Sequence, residues 1–227
     1  ETYVPELKAL KYPTTDSPRI RVRDLLSHVG GFVTDDPWGD RQQVMSEAEF
    51  TRLLNDGVQF TRPPQTRFEY SNLGYALLGR IVANVSQQSY KDFVAQTLLG
   101  PLAMTSSGYD VTAEPQEQRA LGYRWEEGAW QLEPTMAHGA FGAMGGLQTS
   151  ANDYAKYVAF LLAAWPARDG ADSGPVRRSS VRELAQGANY PTLRDRPGAS
   201  GADACPLAAT YGMGMAVAVD CELALTL

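Results

Sequence analysis

The sequence predicts an α+β domain, and three observations carry that expectation. Serine followed three residues later by a carboxylate recurs at Ser46/Glu49, Ser89/Asp92 and Ser150/Asp153, each time ahead of apolar residues at three- and four-residue spacing. Two other stretches, 121–132 and 211–227, are aromatic or β-branched runs broken by glycine or charge, the pattern of short strands. With 227 residues, 44% of them hydrophobic, the chain can bury a core as one large domain or two small ones.

The elements follow in order. Tyr3–Leu7 reads as irregular, because Pro5 interrupts a long regular element. Residues 20–27 form a short helix whose apolar stripe is Val22, Leu25 and Leu26, stopped by Gly30-Gly31. Ser46 and Glu49 make a capping box for a helix that buries Phe50, Leu53 and Leu54 and ends at Asn55-Asp56-Gly57. Pro63-Pro64 keeps the approach to Phe68 extended, and helix resumes at about Asn72 with Leu77, Leu78, Ile81, Val82 and Val85 inward. Ser89 and Asp92 cap a further helix carrying Phe93, Val94 and Leu98, closed by Gly100-Pro101.

Leu121–Trp125 and Ala129–Leu132 suit a hairpin joined through Glu126-Glu127-Gly128. Its aromatics are expected to cover the apolar core, the alternative being a carbohydrate or peptide shelf. The glycine-rich run 139–146 lacks the Gly-Lys-Ser/Thr ending of a phosphate loop, so it reads as a tight backbone path into a helix starting at Ser150. That helix is expected to bury Tyr154, Tyr157, Val158, Leu161 and Leu162 before Pro166. Residues 167–204 read as surface excursions anchored by Tyr190 and Leu193, with one helix at 180–185. Tyr211–Val219 and Cys221–Leu227 read as two strands.

A net charge of −6 argues against a nonspecific nucleic-acid partner, which needs a concentrated basic field. Two histidines and two cysteines do not make a zinc cluster, and no metal or cofactor is expected. Cys205 and Cys221, sixteen positions apart, fit either a disulfide across a hairpin or two buried thiols. No apolar run approaches the roughly 18 residues of a transmembrane segment.

Chemistry concentrates at Glu69-Tyr70-Ser71-Asn72, which sets a phenol and an amide two residues apart at a helix entrance. A phenolate can take a proton from a hydroxyl and then return it to a leaving group, and an amide can donate to one reactant while accepting from another. A nucleophile is harder to find. No serine of the chain is followed by lysine three residues on, and His28 and His138 offer no readable Ser-His-Asp arrangement.

Three blocks, Arg23-Asp24-Leu25-Leu26-Ser27-His28-Val29-Gly30-Gly31, Phe68-Glu69-Tyr70-Ser71-Asn72-Leu73-Gly74-Tyr75 and Gly145-Gly146-Leu147-Gln148-Thr149-Ser150-Ala151-Asn152-Asp153, resemble serine beta-lactamase-related proteins of the class C beta-lactamase, DD-peptidase and esterase branch. The likeness covers nearly all of residues 1–227 and is weakest across about 166–204. It implies the beta-lactamase/transpeptidase-like fold, mainly its helical subdomain with part of the antiparallel sheet, and within it a helical cleft-forming region at about 20–165 and a partial sheet region at about 205–227. It also implies an acyl-enzyme hydrolase of an amide or ester, with Tyr70 moving protons and Asn72 positioning substrate or lysine, and with His28, Gly145 and Gly146 as structural residues of the cleft.

The family's Ser-x-x-Lys nucleophile motif, and the Lys/His-x-Gly motif of a sheet strand, are not found at their positions in these residues; His28-Val29-Gly30 has the letters but belongs to the first block. The expectation is therefore the central portion of an enzyme, inactive alone, acting on a small-molecule or peptide acyl substrate in a periplasmic or secreted setting. Exposed sheet edges would invite a complementary chain or a homodimer. The alternative reading is a noncatalytic peptide-binding or interaction domain.

Overall fold

A computed structural model describes residues 2–34, 42–110, 115–187, 189–194, 207–220 and 225–226. Pro5 starts a short 3-10 helix, Pro5–Ala9, where the sequence suggested an irregular path. Proline suits the first turn of a helix, whose N–H groups have no partner inside it. Helix α1 (Val22–Leu26) and helix α2 (Glu47–Asp56) follow. Ser46 caps α2 as read, its Oγ accepting from the Glu49 N–H at 3.2 Å while the Glu49 carboxylate accepts from the Ser46 N–H at 2.9 Å. Gly57 at φ 102° ends it.

Helix α3 (Asn72–Ser86) is the axis of the helical region. Phe32, Phe50, Phe141, Leu73 and Leu77 are all at or near zero exposure and form the centre of the core, joined by Leu7, Leu25 and Leu54. The inward side of α3 agrees with the expectation at Leu77, which is buried, and at Leu78 and Ile81, which pack half-buried on the core; it differs in that Leu73, Gly74, Ala76 and Gly79 are also buried while Val85 is 63% exposed. Close approach explains this. A Cβ on Gly79 would lie 2.6 Å from the Ala143 Cβ, so the 3-10 turn Gly142–Met144 packs directly on the helix backbone, and the C-terminal turn of α3 projects beyond that contact.

Helix α4 (Tyr90–Val94) runs into a π-helical turn, Ala95–Leu99, closed by the Gly100 N–H on the Ala95 carbonyl. Strands β1 (Tyr123–Glu126) and β2 (Ala129–Leu132) form the expected hairpin, with Glu127 and Gly128 both at positive φ as a two-residue type I′ turn requires. All eight strand residues are exposed, so the aromatics do not cover the core.

Helix α5 (Ala151–Leu162) is rotated in part from the expected orientation: Tyr157, Val158 and Leu161 are half-buried as expected, but Tyr154 and Leu162 are 55% and 66% exposed. The stripe turned inward contains Asp153, Tyr157, Phe160, Leu161 and, beyond the helix, Ala164. Asp153 fixes that rotation, because its buried carboxylate accepts from the Ser106 N–H at 2.7 Å, the Ser107 hydroxyl at 2.9 Å and the Lys156 ammonium at 2.7 Å. These partners hold the carboxyl below the usual range.

After helix α6 (Arg178–Leu184), strand β3 (Asn189–Arg194) lies where the sequence suggested a surface excursion. It pairs antiparallel with β4 (Leu207–Tyr211), with a register irregularity between Asn189 and Thr192 that brackets Pro191, a residue tolerated at a sheet edge. The expected single strand 211–219 is divided: a turn at 212–215 separates β4 from β5 (Ala216–Asp220), and β6 (Leu225–Thr226) completes the order β3-β4-β5-β6. Cys205, Cys221 and the side chains of Tyr190 and Leu193 lie outside the described residues. Among the described residues no helix is long and apolar enough to cross a membrane.

Candidate active site

The site is built from the chain crossing 28–31 and 61–71. His28 ends the turn after α1 in the left-handed region, at φ 54°, with 2% exposure. Its carbonyl accepts from the Glu69 N–H at 2.8 Å, and its Nδ1 accepts from the Ser71 N–H at 3.1 Å. The Val29 carbonyl takes the Gln65 N–H at 2.8 Å. Below this, Asp24 joins both segments, accepting from the Arg21 N–H at 2.8 Å and the Gln65 amide at 2.9 Å. Gly31 is required at the crossing: it has φ 78°, and a Cβ would lie 2.4 Å from the Arg62 carbonyl.

Because Nδ1 is an acceptor, the imidazole is neutral with its proton on Nε2. Burial drives its pKa from 6.5 to about 4. Four aromatic rings surround it: Tyr70 at 4.5 Å between centroids, Tyr211 at 4.7 Å, Tyr75 at 4.9 Å and Phe68 at 5.6 Å. Tyr75 donates to the Leu26 carbonyl at 3.0 Å, and burial, with Tyr211 next, pushes its phenol up, which keeps it a donor. Tyr211 reaches the cluster because the β4–β5 turn docks on the helices, with the Met213 N–H on the Leu184 carbonyl and the Gly214 N–H on the Leu26 carbonyl.

Ser71 is the N-cap of α3. Its hydroxyl is 4% exposed and accepts from the Gly74 N–H at 3.0 Å, so it is committed to the cap rather than presented to a substrate. The cap therefore belongs to Ser71, and Asn72, half-buried, is the first helical residue. Tyr70 stands just outside the helix and is 40% exposed. The turn thus fixes a phenol on one side of a buried cap and an amide on the other, at the positive end of a 15-residue helix.

Gly146 and Gly145 occupy a different wall. Gly146 has φ 86°, and a Cβ would meet the Gln43 amide at 2.8 Å; Gly145 is extended. Gly146 lines a cavity of about 700 Å³ with Gln43, Gln148, Thr149 and Ser150, and the walls of that cavity do not include Tyr70 or Asn72. Among the described residues no three His, Cys, Asp or Glu side chains converge on a metal position. Phe68, Tyr75 and Tyr211 were not singled out from the sequence as part of the site. The first two adjoin the Tyr70 block, whereas nothing local marks Tyr211.

Helices packed beside an antiparallel sheet, with a Tyr-x-Asn turn opening the central helix, define the beta-lactamase/transpeptidase-like fold, of which these residues form a part. The chain belongs to the Beta-lactamase family, whose model matches residues 1–220. It is 33% identical to Protein flp of Staphylococcus aureus strain N315 over 113 residues, 46% of this chain and 21% of that protein. The octameric penicillin-binding protein homologue from Pyrococcus abyssi superposes with a TM-score of 0.68 at 24% identity, covering 94% of this chain and 46% of that one. The D-alanine carboxypeptidase AmpC from Burkholderia cenocepacia gives 0.62 at 19% identity, covering 95% and 50%. At these identities the structural likeness shows the fold. The chain spans about a fifth of Protein flp and about half of the two solved structures.

Proposed function

We propose that residues 1–227 supply the tyrosine side of the cleft of a serine hydrolase that works through an acyl-enzyme on an amide or ester, a beta-lactam, a D-Ala-D-Ala peptide or a small ester. One observation carries the reading: Tyr70 and Asn72 flank a serine whose hydroxyl and N–H are both already bonded, to Gly74 and to His28. The backbone between them is consequently held, which supports a role for this phenol and amide in a preorganised site.

In this reading the nucleophilic serine belongs to a Ser-x-x-Lys helix outside residues 1–227. Its hydroxyl attacks the substrate carbonyl while the Tyr70 phenolate, held beside the lysine, takes the hydroxyl proton. Tyr70 passes that proton to the leaving group as its bond to the carbonyl carbon breaks, and water then cleaves the acyl-serine ester, releasing the acid and restoring the serine hydroxyl. The N-terminal end of α3 favours negative charge on the phenol during that exchange. Asn72 orients the substrate or the lysine. No metal or cofactor enters these steps. An extracytoplasmic setting suits a substrate of this class.

In a chain that also carries the Ser-x-x-Lys helix, Tyr70→Phe is expected to slow acylation or turnover of an activated ester or beta-lactam by about 10²-fold or more, the usual scale of general acid–base catalysis. A folded Tyr70→Phe protein with full activity would overturn the assignment. The second reading, a noncatalytic peptide-binding or interaction domain, gains if the full coding sequence holds no Ser-x-x-Lys motif or if the serine of that motif does not react.

A further inference from the structure

The β1–β2 hairpin carries a second set of features that the hydrolase reading does not use. Tyr123 pairs with Leu132 and Trp125 with Trp130, which places all four on one face of the ribbon. That face is open: Tyr123 is 53%, Trp125 60%, Trp130 66% and Leu132 53% exposed. The two indoles meet edge to face with centroids 5.2 Å apart, forming a step of two ring planes. Half-exposed, the four side chains offer on the order of 400 Å², about half of what one partner of a standard protein interface buries.

Two further observations select the occupant. The hairpin and its flank carry Glu126, Glu127 and Glu133 against one Arg124, which Glu126 at 3.0 Å and Glu133 at 3.5 Å already engage, so the ribbon repels anionic lipid and nucleic acid. The chain at both feet of the hairpin, Gly122 and Glu133, enters the wall of the 700 Å³ cavity described above. That cavity is of ligand size and presents the amides of Gln43, Gln118 and Gln148 with the hydroxyls of Thr135, Thr149 and Ser150, and its wall also carries one cation, Arg119, and one carboxylate, Glu133. An apolar aromatic step joined through Gly122 and Glu133 to a wall of amides and hydroxyls, whose two charged residues are of opposite sign, matches the chemistry of a sugar chain, whose rings show C–H groups on their faces and hydroxyls at their rims.

We propose that the Trp125–Trp130 face and the adjoining cavity bind an uncharged oligosaccharide. The rings stack on the two indoles, and the hydroxyls of the following unit enter the cavity and bond to its amides.

The test is titration of residues 1–227 with N-acetylchitotetraose and cellotetraose, followed by intrinsic fluorescence and by the ¹H–¹⁵N resonances of the indoles. Saturable shifts are expected at Trp125 and Trp130, with Trp165 unmoved as the internal reference. Trp130→Ala is expected to weaken binding about tenfold or more. Removing an indole can unravel a two-stranded ribbon. Gln148→Ala therefore serves as the second variant, since its backbone bonds to Gly108 remain, and it is expected to weaken binding about three- to tenfold. Absence of any indole shift at millimolar sugar, or binding unchanged in both variants, would overturn the proposal. So would sedimentation with phosphatidylglycerol vesicles in place of sugar binding, or a dimer in light scattering that Trp130→Ala dissolves.

Discussion

Protonation of His28 should loosen the turn that presents Tyr70, and its energetic scale follows from the structure. The imidazole falls from 6.5 to about 4 on burial, so its charged form costs the fold about 3 kcal/mol more than it costs the unfolded chain, at ~1.4 kcal/mol per tenfold. The sign is that of a depressed base. Between pH 6.5 and 4 the unfolded chain holds the proton and the folded one does not, so stability rises with pH through that window. The contribution is whole above about pH 6.5 and drains away as pH falls to about 4.

Below that point Nδ1 carries a proton and can no longer accept from the Ser71 N–H. Carboxylates such as Asp153 also titrate in acid, so the measured quantity is the difference between wild type and His28→Gln in urea unfolding at pH 7.5, 6, 5 and 4. That difference is expected to shift against the wild type by about 3 kcal/mol across the series. A pH-independent difference, or a His28 ring resonance titrating near 6.5 in the folded protein, would refute the reasoning.

Two other substitutions probe the frame of the site. Ser71→Ala removes the α3 cap and leaves the Gly74 N–H unsatisfied in a buried place, so thermal unfolding should show a loss of about 1–2 kcal/mol. Gly79→Ala should destabilise by about 1–3 kcal/mol in the same measurement although alanine is the better helix former, because its methyl would stand 2.6 Å from the Ala143 Cβ.

The helical half of the fold was legible because its signals are local. Ser46, Ser89 and Ser150 all accept an N–H three residues on, as their sequence pattern indicates, and the hairpin turn follows from Glu127-Gly128, whereas the α3 cap falls on Ser71 rather than Asn72. What escaped depends on distant partners. The final orientation of α5 is set by Asp153 reaching Ser106 and Ser107, more than forty residues away in sequence, so apolar periodicity placed Tyr157, Val158 and Leu161 correctly but took Tyr154 and Leu162 as buried. Strand β3 contains proline and charge, which weaken any strand signal, and it exists through its pairing with β4. At the site, the Tyr70-Ser71-Asn72 turn was readable as a motif. The enclosure of His28 by Tyr211 was not, because it arises only when the β4–β5 turn docks on α1 and α6.

The central claim is that these residues hold the proton carrier and the positioning amide while the acyl group is stored on a serine elsewhere. Intact-mass spectrometry of residues 1–227 incubated with excess beta-lactam or activated ester tests it most directly, alone and after addition of a Ser-x-x-Lys-bearing helical piece. The expected result is no stoichiometric adduct on any serine of residues 1–227 and, with the added piece, an adduct on that piece's serine which Tyr70→Phe slows. Stoichiometric labelling of one serine within residues 1–227, followed by turnover, would contradict the account.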